Sequence, residues 1–274
     1  MSNLSPASSI GPLSVGNVIN AGVRIYRSHL KQYFTLSLRA ALWGIVPIYG
    51  TAKSAEIAGA IARLAYSELI DQPETVTDAR KHTSPRLWQF FVTNLLVGLI
   101  FVGLFMGVFI GVAIIGGIGT VAASVSPPLT IVAVILGIVA FIAALIILIR
   151  FGSRLFVYDL PLAIEDNIDS TTSISRSWSL TKGSVGRIQW IFLVVAVLIT
   201  PLVYVPTFML IGFITNLTIR NEMPELVVLL RVVDLALRVG LTALIMPFWQ
   251  VIKAVVYYDL RARREGLGLQ LRDR

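Results

Sequence analysis

The sequence predicts an all-α protein: a polytopic transmembrane helical bundle of about six membrane helices in three hairpins, with interfacial amphipathic helices. Three observations lead there. Apolar residues make up 56% of the 274 and charged ones only 14%, with a mean hydropathy of +0.81, whereas soluble chains carry about 25% charged residues. The apolar residues also come in long blocks, not in the short periodic stripes of a solvated fold. Finally, the excess of Lys and Arg, 23 against 15 Asp and Glu, borders those blocks, where basic residues fix topology.

Four blocks read directly as spans of the roughly 20 residues that a hydrocarbon core requires: Trp88 to Thr120, Leu129 to Ile149, Ile188 to Thr215 and Leu235 to Ile252. A fifth, Tyr33 to Gly50, is shorter and holds Arg39 and Pro47. The helix-prone stretch Ser54 to Ile70 follows it and carries Glu56, Arg63 and Glu68. Arg24, Arg27 and Lys31 precede this pair, and Arg80, Lys81 and Arg86 follow it. By the positive-inside rule both groups face the cytoplasm. The chain from Tyr33 to Ile70 must then enter the membrane and return, as a spanning hairpin or a re-entrant pair. The loop Ala122 to Pro128 is uncharged, and Thr215 to Glu225 has one Arg against two Glu. Arg150, Arg154, Arg176, Lys182, Arg187, Lys253, Arg261, Arg263 and Arg264 lie on the opposite side. This pattern gives six helices with both termini cytoplasmic, in a plasma membrane or an internal photosynthetic one.

Cut into three hairpins, the chain shows a repeat. A short amphipathic stretch precedes each hairpin: Val15 to Lys31, Thr75 to Arg86 and Ser170 to Lys182. Each hairpin ends on a tyrosine, an acid and a leucine, in Tyr66-Ser67-Glu68-Leu69, Tyr158-Asp159-Leu160 and Tyr258-Asp259-Leu260. Aromatic and charged residues also gather at any membrane interface, so composition is the rival explanation. In the first amphipathic stretch Val18, Gly22, Ile25 and His29 form one stripe, beside Arg24, Arg27 and Lys31. In the third, Ile174, Trp178 and Thr181 form a stripe, with Arg176 and Lys182 elsewhere on the helix. That is the pattern of a helix lying in the interface plane. Such helices either anchor the hairpins or present a surface for lipids or partners, with Arg24, Arg27, Lys31, Arg176, Trp178 and Lys182 as its candidate residues.

Two further features concern the apolar region. Gly103, Gly107 and Gly111 recur every fourth residue, and Ala133, Gly137, Ala140 and Ala144 give the next span a small face. Such faces let helices approach closely where packing drives association, either within one chain or between copies in an oligomer. Arg231, Asp234 and Arg238 fall on one side of the last long helix, and Arg39, Glu56 and Arg63 belong to the first hairpin. Ionisable groups at membrane depth often mark a pathway or binding site; the alternative is a neutralised network near the interface whose long side chains snorkel outward.

Catalytic and cofactor readings find little support. The chain has no cysteine, and neither of its two histidines, His29 and His82, sits in a metal-ligand spacing. Glu165, Asp166 and Asp169 lack the glycine turn of a calcium loop and read as a solvated loop. Gly117, Gly119 and Ala122 match a dinucleotide fingerprint only on paper, since no strand precedes them. The net charge of +8 accompanies no nucleic-acid motif. No metal, cofactor, nucleic acid or catalytic activity is expected.

Several segments together resemble a family. They are Leu13-Ser14-Val15-Gly16-Asn17 with Arg24-Ile25-Tyr26-Arg27, the stretch Arg176-Ser177-Trp178-Ser179-Leu180-Thr181-Lys182-Gly183, and Tyr257-Tyr258-Asp259-Leu260-Arg261-Ala262-Arg263-Arg264-Glu265-Gly266. They look like uncharacterised bacterial membrane proteins related to the membrane domain of glycerophosphoryl diester phosphodiesterases. Pro47-Ile48-Tyr49-Gly50 and Gln72-Pro73-Glu74-Thr75 look most like cyanobacterial members. The resemblance covers nearly the whole chain and implies a six-helix bundle without a known activity. The Ser- and Pro-rich start lacks signal-peptide features. The expected organisation is a disordered tail over 1–13, one membrane domain over 14–266 and a tail over 267–274. The expected role is that of an accessory or organising protein binding anionic lipids and other membrane proteins; the alternative is a small transporter with a polar site near the buried charges.

Overall fold

The computed structural model describes residues 14–219 and 224–266; both expected tails, and Arg220, Asn221 and Glu222 of the second uncharged-side loop, lie outside them. All regular elements are helical, with no strand among the described residues. In chain order they are α1 (Val15–Ser28), α2 (Leu30–Trp43), α3 (Tyr49–Leu69), α4 (Val76–Thr83), α5 (Leu87–Val125), α6 (Pro127–Arg154), α7 (Leu160–Ile164), α8 (Ser170–Thr181), α9 (Val185–Ile219) and α10 (Pro224–Glu265).

The three amphipathic stretches form α1, α4 and α8, and each begins in the same way. Ser14, Thr75 and Asp169 are N-caps whose side chains accept from the backbone N–H of Asn17, Asp78 and Thr172, meeting one of the donors that a helix start leaves unpaired. A pair of longer helices follows each: α2 and α3, α5 and α6, α9 and α10. The repeat unit is thus a capped short helix and a hairpin. The units differ at the joint. α8 is bent by 100° from Val185–Pro201 of α9, whereas α4 continues through a 3-10 turn at Ser84–Arg86 into α5, giving one helical run from Val76 to Val121. α8 thus has the geometry expected of a helix lying across the foot of its hairpin, and α4 does not.

The buried core is concentrated toward one end. It joins α1, α2, α3, α8, the start of α9 and the last third of α10, with Val18, Tyr33, Ile61, Leu160, Ile188, Ile252 and Tyr257 at its centre. α10 is its post, packing against α1, α2, α3 and α9. Away from that end the surface turns apolar. α5 and α6 pack on each other, yet only 6% of the most apolar stretch of each is buried, and Phe109, Ile131, Phe208 and Met209 stand open. An apolar surface on this scale marks contact with a membrane or another protein.

Two helical runs, Val76–Val121 and Pro128–Arg154, are long and apolar enough to cross a membrane, or three if the bent α8–α9 pair is one span. The first hairpin does not add to them by length and composition. α2 has 14 residues, a rise of about 21 Å against a hydrocarbon core of about 30 Å. α3 has 21 residues but buries more than half of them, Glu56 among them, inside the protein.

The glycines of α5 do not pack as their spacing predicts. A side chain at Gly103, Gly107 or Gly111 would meet nothing within 4 Å. α5 meets α6 lower down, where Gly119 faces Ala133 and Gly137 faces Ile115. The two helices also meet near their other ends, where Phe101 reaches Gly152, so the small residues of α6 engage α5 while the regular stripe of α5 points elsewhere.

Pro247 interrupts α10 and has no N–H to offer the Ala243 carbonyl four residues back. The buried Ser37 hydroxyl of α2 donates to that oxygen instead, and the Tyr26 hydroxyl of α1 donates to the next carbonyl, Leu244, at 2.8 Å. Kinked helices in apolar surroundings need such replacements. Ser37→Ala is expected to destabilise the protein by about 1 to 3 kcal/mol, the cost of a buried unpaired carbonyl. In a Pro247→Ala background, where the helix regains its own donor, the same change should cost much less. Thermal unfolding of the four proteins in detergent measures this, and equal losses in both backgrounds would exclude the replacement.

Candidate functional site at the polar base

The ends of the hairpins converge on a polar base held by charge pairs. Its centre is Glu165, which leaves α7 and accepts from the Tyr257 hydroxyl of α10 and from Arg176 Nε of α8 at 3.2 Å. Arg176 also donates to Glu265, and Glu265 accepts from Arg261 at 2.8 Å. Arg261 in turn donates to the Tyr66 hydroxyl of α3 at 3.2 Å. Burial alone would lower the affinity of the Arg261 guanidinium for its proton, but the Glu265 hydrogen bond and the neighbouring Tyr66 and Tyr257 raise it above its ordinary value. The latch therefore stays charged and ties together α3, α8, α10 and the segment after α7.

The acids of the repeated endings join in. Asp259 is nearly buried and pairs with Arg187, at the start of α9, and with Arg263. Asp159 pairs with Lys253 at 3.0 Å, joining the second hairpin to the third. Glu68 pairs with His29 at 3.1 Å, closing the first hairpin at its foot. The Tyr158 hydroxyl donates to Asn94 at 2.6 Å and closes the second. A shared ending thus serves a shared purpose, fastening the last turn of a hairpin to another element. Sequence reasoning placed these acids at an interface but missed their partners. It also left Glu165 in a solvated loop with Asp166 and Asp169. Asp166 is 82% exposed, whereas the Glu165 side chain is only 16% exposed. The signal for Glu165 was weak, since Arg176 and Tyr257 lie 11 and 92 positions away in the chain.

α8 binds the base through its small face. Ser173 donates to the Tyr158 carbonyl at 2.6 Å, and Ser177 and Thr181 donate to the Arg154 carbonyl at 2.9 and 3.2 Å. These oxygens belong to the end of α6 and the turn after it, where the helix has no donors of its own left. The stripe of Ile174 and Trp178 consequently turns outward: Trp178 is 40% exposed and stacks on Arg154 and Phe151. In α1 the predicted stripe faces the opposite way, since Val18, Gly22 and Ile25 are buried against α10 and not offered to a lipid surface.

The predicted charge clusters divide. Arg39, Glu56 and Arg63 do not form one network. Glu56 is fully buried and pairs with Lys53 at 2.8 Å while accepting from Thr83 and Ser84. Arg63 makes a two-pronged bond to Glu74 and reaches the Ala163 carbonyl. Arg39 is exposed with no partner among the described residues. In α10, Arg238 pairs with Asp234 at 2.8 Å and Arg231 stands apart, exposed; Asp234 Oδ1 is buried without a donor. The proposed lipid-facing residues also divide, because Arg176 is committed to Glu165 and Glu265. Arg24, Arg27, Lys31 and Lys182 are exposed and make no ion pair among the described residues. No group of acids and histidines among the described residues is arranged to hold a metal.

Comparison with protein-family models, characterised proteins and solved structures finds no match to this chain.

Removing the centre of the latch tests its weight. Glu165→Ala leaves the Tyr257 hydroxyl without its acceptor and removes one of the two carboxylates on Arg176, and is expected to cost about 1 to 3 kcal/mol. Asp166→Ala, one residue on but exposed, should fall within about 0.5 kcal/mol of the parent. Denaturation in detergent measures both, and similar values for the two would show that the latch does not stabilise the fold.

Proposed function

We propose that this chain is an integral membrane protein without catalytic activity, an accessory or organising protein that holds anionic lipids at its polar base and contacts other membrane proteins. One observation carries the reading. Cations without internal partners are gathered on the short helices of the base, and the helices leading away from it expose apolar side chains over most of their length. Arg24, Arg27, Lys31 and Lys182 remain available after the carboxylates of the base are matched to other cations. Trp178, one helical turn before Lys182, is exposed, as indole rings are at a headgroup layer. Each such cation contributes roughly 1 kcal/mol beside an anionic leaflet.

In this reading the three repeat units supply six membrane helices. α5, α6, α9 and α10 cross, and the shorter α2–α3 hairpin either crosses a thinned bilayer or re-enters. The base and both termini face the cytoplasm of a bacterial cell, consistent with the resemblance to bacterial membrane proteins. A transport role is the second reading. It rests on Asp234 Oδ1 and Gln250 Oε1 of α10, two buried oxygens without a donor among the described residues, as polar groups along a pathway would be.

Topology is open to direct test because the chain has no cysteine. Ser126→Cys, between α5 and α6, should react with an impermeant maleimide on intact cells. Lys81→Cys, 73% exposed on α4, and Thr171→Cys, exposed on α8, should react only after lysis. Thr83 is unsuitable, since it is buried with its hydroxyl on Glu56. External labelling at Lys81→Cys would overturn the orientation.

The lipid reading predicts a dependence on salt. Protein purified in mild detergent should retain anionic phospholipid, and lose much of it when salt is raised to about 1 M, where the screening length shrinks to roughly 3 Å. Phosphorus and lipid analysis before and after the wash measures this. Retention indifferent to salt would favour transport over lipid holding.

A further inference from the structure

We infer that the cleft between α1, α2 and α4 is a binding site for the phosphate headgroup of an anionic membrane phospholipid; this rests on the lipid reading above and gives it a place. The cleft has a volume of about 520 Å³ and is lined by Ser28, His29, Lys31, Gln32, Thr35 and Arg39, with Leu36 and Val76 as its apolar walls. Lys31, Thr35 and Arg39 stand four residues apart on one face of α2. Their backbones rise about 12 Å along the axis from first to last, a distance that the long Lys and Arg side chains close when they converge above Thr35. The donors there are an ammonium, a guanidinium and a side-chain amide, the Ser28 and Thr35 hydroxyls being donated to the Ile25 and Lys31 carbonyls, and no carboxylate lines the cleft. Such a set favours an oxyanion, and the planar guanidinium suits phosphate in particular.

Two neighbouring features sharpen the assignment. On the other side of His29 and Gln32 lies a second cleft of about 360 Å³, whose lining includes Glu68, Asp71 and Glu74. The acids near α2 are thus kept behind a wall, where His29 pairs with Glu68 and Arg63 with Glu74. Lys31 and Arg39 are left with no carboxylate partner among the described residues. Further along α2 toward its tip, Leu42 and Trp43 are exposed, so a ligand anchored by phosphate at Arg39 has apolar surface beside it for acyl chains. A free phosphate has no use for that surface. Arg39, otherwise an isolated charge in an apolar stretch, acquires a counter-ion.

The experiment uses the full chain in phosphatidylcholine vesicles with and without phosphatidylglycerol, with native mass spectrometry counting bound lipid after extraction. The parent should carry phosphatidylglycerol in preference to phosphatidylcholine. Lys31→Gln with Arg39→Gln should weaken that binding about tenfold or more, equivalent to at least 1.4 kcal/mol. Thr35→Glu, which places a carboxylate in the cleft, should do the same. All three residues are half-buried or exposed and lie outside the latch, so helical content and melting temperature should be unchanged. Arg24→Gln with Arg27→Gln removes the same charge from α1, outside the cleft, and should weaken binding measurably less than the cleft pair does. Equal loss in both double variants would overturn the cleft while leaving a diffuse basic surface as the lipid-holding element. Displacement of the lipid by millimolar inorganic phosphate would overturn the lipid assignment in favour of free phosphate. A parent that shows no preference for phosphatidylglycerol would overturn both the cleft and the reading on which it rests.

Discussion

A helix that ends, or that contains a proline, leaves carbonyl oxygens without donors, and where water is scarce those oxygens must be met by something else. The assembly of this protein follows from how that need is met. The carbonyls at the end of α6 take hydroxyl donors from α8. Those closing α7 take guanidinium donors from Arg63 and Arg86. The two exposed by Pro247 take Ser37 and Tyr26. In each case the donor comes from an element distant in sequence, so every pairing is also a tertiary contact. This explains why α8 is rich in Ser and Thr on the side that meets the protein. It also explains why α8, despite carrying Ile174 and Trp178, packs through its hydroxyls.

The charge pairs of the base act on top of that framework. Partly buried pairs give little net stability when compared with apolar packing, but breaking one leaves an uncompensated charge. Their effect here is selective. Asp259 accepts only where Arg187 and Arg263 both reach it, and Glu165 only where α8 and α10 meet at the right height. The pairs thereby fix how the third hairpin seats against the first two. They also consume the carboxylates of the base, and that is what leaves Lys31, Arg39 and the α1 arginines facing outward with their charge intact.

Local order was legible in the sequence where it depends on period and caps. The boundaries of α1, α4 and α8, the long helices and the hairpin arrangement follow from apolar blocks, and the apolar stripe of α1 from its spacing. Partnerships were not legible. Arg39, Glu56 and Arg63 share a hairpin but no common partner: Arg63 pairs with Glu74 after α3, Glu56 with Lys53 and the end of α4, and Arg39 with none among the described residues. The spacing of Gly103, Gly107 and Gly111 encodes a smooth face but not its neighbour, and the contacts formed instead, at Gly119, Gly137 and Gly152, depend on the side chains that the facing helix presents. The number of crossings was obscured by a similar limit. Hydropathy does not distinguish an apolar helix that meets lipid from one that, like the second half of α10, is enclosed by α1, α2 and α3.

The first hairpin shows what such enclosure implies for its own tip. Trp43, Ile45, Val46, Ile48 and Tyr49 are all exposed between α2 and α3, so this turn is neither core nor solvated loop. Its backbone is drawn tight. Ile48, a β-branched residue, is held at a φ of 60°, a conformation that costs such a residue of order 1 to 3 kcal/mol. At Gly50 a side chain would lie 1.9 Å from the Trp43 carbonyl, so only glycine allows the approach. A relaxed turn would need neither. Compactness has a clear physical use at the end of a hairpin whose first arm rises only about 21 Å, because a tip that stops inside hydrocarbon must keep its carbonyls close to their own donors. Consistent with that demand, the N–H groups of Gly44, Ile45, Val46 and Tyr49 all bond to carbonyls within the turn itself. The tip is thus built to be apolar outside and self-satisfied inside. Those properties suit a turn surrounded by apolar groups and not by water.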